Sequence, residues 1–119
     1  MPQTIKAAIV GTGFIGPAHL EALRRIPNIE VTGLVEVNQE VADAKAAELG
    51  IPNAYTFENM LKDESIDVVH ICTPNFLHFP QAKACMLAGK HVVCEKPLSM
   101  TIEEAEELVA VAKQTGKIN

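Results

Sequence analysis

The chain has 119 residues, 48% of them apolar and 21% charged, with a net charge of −5. That length allows one domain with a real core. No basic cluster is present to grip a nucleic-acid backbone, and no apolar run approaches the length of a membrane span.

The N-terminus, Met1-Pro2-Gln3-Thr4, lacks a basic stretch followed by an apolar one and so does not read as a secretory leader; the cytoplasm is the default compartment. Residues 5–10 form a β-branched apolar run that predicts a first strand. It stops at Gly11-Thr12-Gly13-Phe14-Ile15-Gly16, and a helical pattern follows, with Pro17 tolerated in its first turn. In a strand–G-x-G-x-x-G–helix arrangement each glycine has a task. Gly11 permits the tight turn, Gly13 leaves the backbone open to a pyrophosphate, and Gly16 allows close packing. The unpaired N–H groups and positive dipole end of the helix then favour phosphate. The expected inner face of this helix is Ile15, Ala18, Ala22, Leu23 and Ile26, and Pro27-Asn28 ends it.

Ile29 to Val37 predicts the second strand. Glu36 lies at its carboxyl end, twenty residues past Gly16, where an acid holds a ribose 2′-hydroxyl. Asn38 is an N-cap for an alanine-rich helix carrying Val41, Ala44, Ala47 and Leu49, which Gly50 ends. Residues 54–57 predict a short third strand, and Glu58 to Lys62 one or two helical turns. A fourth strand over 66–72 breaks at Thr73-Pro74-Asn75; a helix through Gln81, Ala82, Cys85 and Met86 runs to Gly89. His91 to Cys94 is the fifth strand, followed by Glu95-Lys96-Pro97. Thr101 caps a last helix, with Glu104 completing a capping box and Ile102, Ala105, Leu108, Val109 and Ala112 facing inward. Lys117-Ile118-Asn119 has the look of a sixth strand beginning; without that strand, the fifth is an edge that either the tail or a second copy would pair with.

Strict strand–helix alternation predicts an α/β doubly wound parallel sheet, a Rossmann fold of strand order 3-2-1-4-5, as one dinucleotide-binding domain over 1–119. Ligands in such sheets sit at the carboxyl ends of the strands, at the switch point between the first and fourth. The candidate cofactor contacts there are Gly11, Gly13, Phe14, Ile15 and Gly16 from the first loop and Glu36 from the second. Cys72, Thr73, Pro74, Asn75 and His78 come from the fourth, and Glu95 and Lys96 from the fifth. A carboxylate at Glu36 accepts from both ribose hydroxyls and repels a 2′-phosphate, and no arginine follows it, so NAD is favoured over NADP. Lys96, beside an apolar strand end, is placed to hydrogen-bond a substrate hydroxyl, with desolvation lowering its pKa. Of the four histidines, His70 reads as a packed core residue, His91 as lying near a sheet end, His19 as on the first helix, and His78 as facing the cleft. They lack metal-ligand spacing. The three cysteines, Cys72, Cys85 and Cys94, suggest neither a disulfide frame nor a zinc site.

Taken together, residues 8–16, Asp67 to Asn75 with His78, and Ala88 to Leu98 resemble the glucose-fructose oxidoreductase/inositol dehydrogenase/MocA-like family, and the likeness covers essentially the whole chain. The resemblance implies NAD(P)-dependent oxidation of a hydroxyl, or reduction of a ketone, on a sugar, cyclitol or related small molecule. By it Lys96 matches the family's active-site lysine and Glu36 the adenosine-ribose acid. It also implies a second domain that supplies the substrate pocket and commonly the oligomer interface, outside this stretch. The expectation is thus the cofactor-binding half of a dehydrogenase, inactive by itself. The alternative is a nucleotide-binding or regulatory module that never catalyses. Glu95-Lys96-Pro97 weighs against other Rossmann dehydrogenases.

Overall fold

A computed structural model describes residues 3–119; the expectation placed on Met1 and Pro2, that no leader begins there, lies outside them. The elements run β1 (Ile5–Val10), α1 (Gly16–Arg24), β2 (Ile29–Val35), α2 (Gln39–Leu49), β3 (Asn53–Tyr55), α3 (Phe57–Lys62), β4 (Val68–Ile71), α4 (His78–Leu87), β5 (His91–Cys94) and α5 (Ile102–Thr115), with a 3-10 turn over Asn75–Leu77. All strand pairs are parallel, in the order β3-β2-β1-β4-β5 that the alternation predicts.

Side chains alternate across a strand, so β1 feeds two cores. Ala7 and Ile9 pack with Leu20 and Leu23 of α1 and Ala42 and Ala46 of α2. Ala8 and Val10 pack on the opposite face with Met60 of α3, Ala82, Cys85 and Met86 of α4, and Leu108 and Val111 of α5. Both faces of β1 are therefore covered, and its carboxyl end meets an open cleft at the rim of the sheet. Lys90 is buried, and its ammonium donates to the carbonyls of Asp63 at 2.6 Å and Ile66 at 3.3 Å, tying the approach to β4 against β5.

Several local expectations are corrected. β2 ends at Val35, so Glu36 is the first residue beyond it. Residues 54–57 are not one strand. Thr56 leaves the sheet to cap α3, its hydroxyl accepting from the Asn59 N–H at 3.4 Å, and Phe57 is already helical. On α1 the buried stripe is Gly16, Leu20 and Leu23, while Ala18 and Ala22 are exposed and Ile26 lies past the helix end. On α5 the stripe is Leu108 and Val111, and Ile102 and Val109 face solvent. The apolar period by itself leaves the rotation of a helix open by about one residue, and the neighbouring elements decide it. Asn38 and Thr101 do cap α2 and α5, accepting from Val41 at 2.9 Å and Glu104 at 3.1 Å. Glu104 returns its bond to the N–H of Met100 at 3.0 Å, not to that of Thr101, because the bend before the cap presents the earlier donor.

The tail lies along the outer edge of β5. The carbonyl of Ile118 accepts from Val92 N–H at 2.9 Å, and Ile118 N–H donates to His91 Nδ1 at 3.0 Å. Tail capping is therefore what this edge shows at Val92.

The rotation of α5 is directly testable by urea unfolding. Leu108→Ala should cost about 2–5 kcal/mol, whereas Val109→Ala should stay within about 0.5 kcal/mol.

Candidate functional site

A cleft of about 800 Å³ opens at the carboxyl rim of the sheet, lined by residues 10–15 and 35–37 together with Phe57, Cys72, Thr73, Pro74, Phe76, Leu77 and Gln81. Its floor is the glycine turn. Gly11 has φ +90°, and a Cβ there would stand 2.9 Å from the Cys72 carbonyl oxygen, so the first and fourth loops touch through it. A Cβ on Gly16 would lie 2.1 Å from the carbonyl oxygen of Gly11. The close approach at Gly16 is thus mainly to its own turn, with the β1 side chain of Ile9 next at 3.6 Å. Gly13 is different: a Cβ there meets nothing within 4 Å. Space lies over the turn where a ligand's phosphates would approach.

α1 begins with Gly16 and Pro17, has no side-chain cap, and carries no acid in its first turn. Among the described residues no protein acceptor takes the N–H groups of Gly13, Phe14 or Ile15. Unclaimed donors at the positive end of a nine-residue helix fit an anionic pyrophosphate. Across the cleft the Glu36 carboxylate accepts from the Thr12 N–H at 3.2 Å through Oε1. The bond pins the acid beside the turn and leaves Oε2 for another donor. The residues present therefore fit a dinucleotide, with phosphates over the turn and a ribose at Glu36.

The other expected site residues divide. Phe14 stands at the rim, 98% exposed, and Ile15 lines the cleft beside it. Cys72, Thr73 and Pro74 form the wall opposite Glu36. The Thr73 hydroxyl donates to Gln81 Oε1 at 2.7 Å, so it is occupied within the wall. Asn75 starts the 3-10 turn, exposed and off the lining. His78 does not face the cleft. Its ring is 1% exposed, with Nδ1 2.6 Å from the Pro97 carbonyl oxygen and Nε2 2.8 Å from that of Thr73. Two carbonyl oxygens from the neighbouring loops flank the two ring nitrogens, and a neutral ring donates its one N–H to one of them. Lys96 is exposed beyond the cleft lining, so the burial expected to act on its ammonium is not there. The Lys96–Pro97 bond is cis.

Sequence reasoning missed the apolar rim of Val37, Phe57, Phe76 and Leu77. Val37 and Phe76 are 86% and 66% exposed, and such isolated apolar residues in turns carry no periodic signal. It also missed a chain of side chains linking α1 to the fifth loop: His19 Nε2 is 2.8 Å from Glu95 Oε2, and His19 Nδ1 is 3.0 Å from His70 Nδ1. His70 is thus buried, as expected of a core residue, but polar in its contacts. Burial pushes its imidazole down from 6.5 to about 4, and electrostatic repulsion between its charged form and the neighbouring His19 acts in the same direction. The hydrogen bond from His19, and then that from the Lys96 N–H, hold the Glu95 carboxyl below its usual range. Burial raises the thiols of Cys72 and Cys94 to about 12 and about 11, with Glu95 adding to both, so neither is a nucleophile here. Among the described residues no three His, Cys, Asp or Glu side chains gather as a metal site, and no helix is long and apolar enough to cross a membrane.

Residues 5–119 match the family described as "Oxidoreductase family, NAD-binding Rossmann fold", of the glucose-fructose oxidoreductase/inositol dehydrogenase/MocA group. The chain is 34% identical over 115 residues to a 4-carboxy-2-hydroxymuconate-6-semialdehyde dehydrogenase of Sphingobium sp., covering 96% of this chain and 36% of that protein. It is 35% identical over 115 residues to a scyllo-inositol 2-dehydrogenase (NADP(+)) of Bacillus subtilis, covering 96% and 35%. An NAD-binding oxidoreductase from Klebsiella pneumoniae superposes with a TM-score of 0.92 at 36% identity, over 96% of this chain and 33% of that one. Other similar structures hold NAD, as in GenD2 from gentamicin A biosynthesis (TM-score 0.89, 31% identity, 98% of this chain and 34% of that), or NADP+, as in a biliverdin reductase from Synechocystis sp. (TM-score 0.86, 30% identity, 96% and 36%). The chain spans about a third of the length of the curated relatives it matches.

The depressed pKa of His70 sets a direction for stability against pH. Between about 4 and 6.5 the unfolded chain binds the extra proton, so this contribution is complete above pH 6.5 and is lost as pH falls toward 4. Urea unfolding at pH 7 and pH 4 should show the wild type losing roughly 2 to 3 kcal/mol more than His70→Phe over that interval.

Proposed function

Since the chain belongs to the glucose-fructose oxidoreductase/inositol dehydrogenase/MocA family and is its NAD(P)-binding Rossmann domain, we propose that it is the half of an oxidoreductase that holds NAD in preference to NADP. In that enzyme it presents Lys96 to the reacting hydroxyl or ketone of a sugar, cyclitol or related small molecule. The observation that carries the reading is the glycine turn: open space over Gly13, unclaimed N–H donors at the start of α1, and a carboxylate facing them across the cleft.

The preference for NAD rests on Glu36. Its carboxylate accepts from ribose hydroxyls, whereas a 2′-phosphate would bring like charge against it, and Val37 and Asn38 offer no cation in compensation. The bound nicotinamide supplies a hydride acceptor for the carbinol carbon, or a hydride donor to the ketone. The chain's own groups do the rest of the work on this side of the site. The turn fixes the phosphates, Thr12 N–H and Glu36 fix the adenosine end, and Cys72, Thr73 and Pro74 wall the space between. Lys96, exposed on the fifth loop, offers an ammonium to the substrate oxygen, where it orients that oxygen and stabilises the partial negative charge it carries. A polyol or sugar substrate is supported by the inositol-acting relative. The three free thiols suit the reducing cytoplasm.

Calorimetry on the protein with NADH and NADPH tests this. Saturable heat with NADH, weaker with NADPH, is the expected result; no heat with either overturns the reading. Gly13→Ala should leave the thermal midpoint essentially unchanged, because its Cβ meets nothing within 4 Å, while weakening NADH about tenfold or more. Glu36→Ala should weaken NADH about tenfold or more and narrow its advantage over NADPH.

A further inference from the structure

The hydrogen-bonded chain of His70, His19 and Glu95 has no task in holding the dinucleotide. It joins three elements: β4, the first turns of α1, and the loop after β5. Its direction follows from donor chemistry. A carboxylate only accepts, so His19 Nε2 carries the proton toward Glu95 Oε2 at 2.8 Å. In a neutral ring His19 Nδ1 is then the acceptor, and His70 Nδ1 donates to it across 3.0 Å, the two rings meeting edge-on with centroids 5.3 Å apart. His70 sits in the buried layer of β4, where desolvation keeps it neutral and able to take that part.

The second oxygen of Glu95 decides what the chain is for. Oε1 accepts from the backbone N–H of Lys96 at 3.2 Å. One carboxylate is therefore held by α1 through one oxygen and holds the lysine's backbone through the other. On the far side of the lysine, the Pro97 carbonyl is held at 2.6 Å by the buried ring of His78, whose other nitrogen is 2.8 Å from the Thr73 carbonyl oxygen on the cleft wall. Lys96 itself makes no side-chain hydrogen bond among the described residues. Its backbone is pinned before and after, and its side chain is left to reach outward.

We propose that His19 is a positioning residue for Lys96: through Glu95 it fixes the point from which the lysine leaves the sheet, relative to the same helix whose N-terminus faces the phosphates. One rigid element, α1, then sets both the cofactor's place and the lysine's. This rests on the reading of Lys96 and the glycine turn given above. His19 touches neither substrate nor cofactor in this account; it acts only through Glu95.

The test is ¹⁵N relaxation on the protein and three variants, with NADH calorimetry alongside. In the wild type the Lys96 amide should show an order parameter near that of the strands, about 0.85. In His19→Leu it should fall below about 0.6 at residues 95 and 96 while Ile9, Val10 and Val69 keep their values. His19→Gln, whose amide still donates, should restore it, and Glu95→Ala should reproduce the loss with α1 untouched. An unchanged Lys96 amide in both His19→Leu and Glu95→Ala overturns the proposal. So does loosening spread evenly through the sheet, which is what a merely structural histidine would give. If wild-type protein binds no NADH, the cofactor reading falls, while the relaxation data still decide whether His19 restrains the lysine.

Discussion

Of the described glycines the tightest is at the turn between the first strand and first helix, where a Cβ on Gly16 would stand 2.1 Å from the Gly11 carbonyl oxygen. No side chain fits there, and everything at the rim depends on that. The chain doubles back at once, so α1 starts directly over the carboxyl end of β1 with its free N–H groups pointing into the cleft. Gly11 serves the same geometry from below, its positive φ letting the turn lie against the Cys72 carbonyl and so against the fourth loop. A bulkier turn would lengthen the path and aim the helix elsewhere.

The sheet order turns this local geometry into a site. β1 is paired on one side by β2 and on the other by β4, so the chain leaves β1 in one direction and returns on the other side of it. Loops after β1, β2 and β4 consequently surround a single opening, with an acid on one wall, Cys72, Thr73 and Pro74 on the other, and the glycine turn below. The two cores on opposite faces hold β1 rigidly between α1 and α2 on one side and α3, α4 and α5 on the other. Ligand chemistry is thereby confined to the strand ends, where packing does not consume the backbone's polar groups.

The loop after β5 is governed by different forces. It has little apolar burial of its own, and Lys96 and Pro97 are exposed. Its placement comes from hydrogen bonds made by two histidines, His19 from α1 and His78 from α4, each reaching a backbone or carboxylate oxygen next to the lysine. Such directional contacts fix position with more angular precision than apolar packing does, which suits the role proposed for Lys96.

Much was legible in the sequence because it is written in neighbouring residues. Strand–helix alternation, the caps at Asn38 and Thr101, the left-handed glycines closing α2 and α5, and the glycine turn with Glu36 beyond it are consequences of local backbone sterics and short-range hydrogen bonding. The parallel order of the sheet follows from that alternation. The tertiary structure alone decided which stripe of each helix is buried, leaving Val109 outside and Val111 inside, because rotation about the helix axis is set by what packs on it. It alone turned His78 away from the cleft and brought His19 to Glu95 across 76 positions and to His70 across 51. Those contacts join residues with no sequence relation to one another; they exist only once the crossover from β1 to β4 has placed their elements side by side, and a one-dimensional pattern holds no record of that distance.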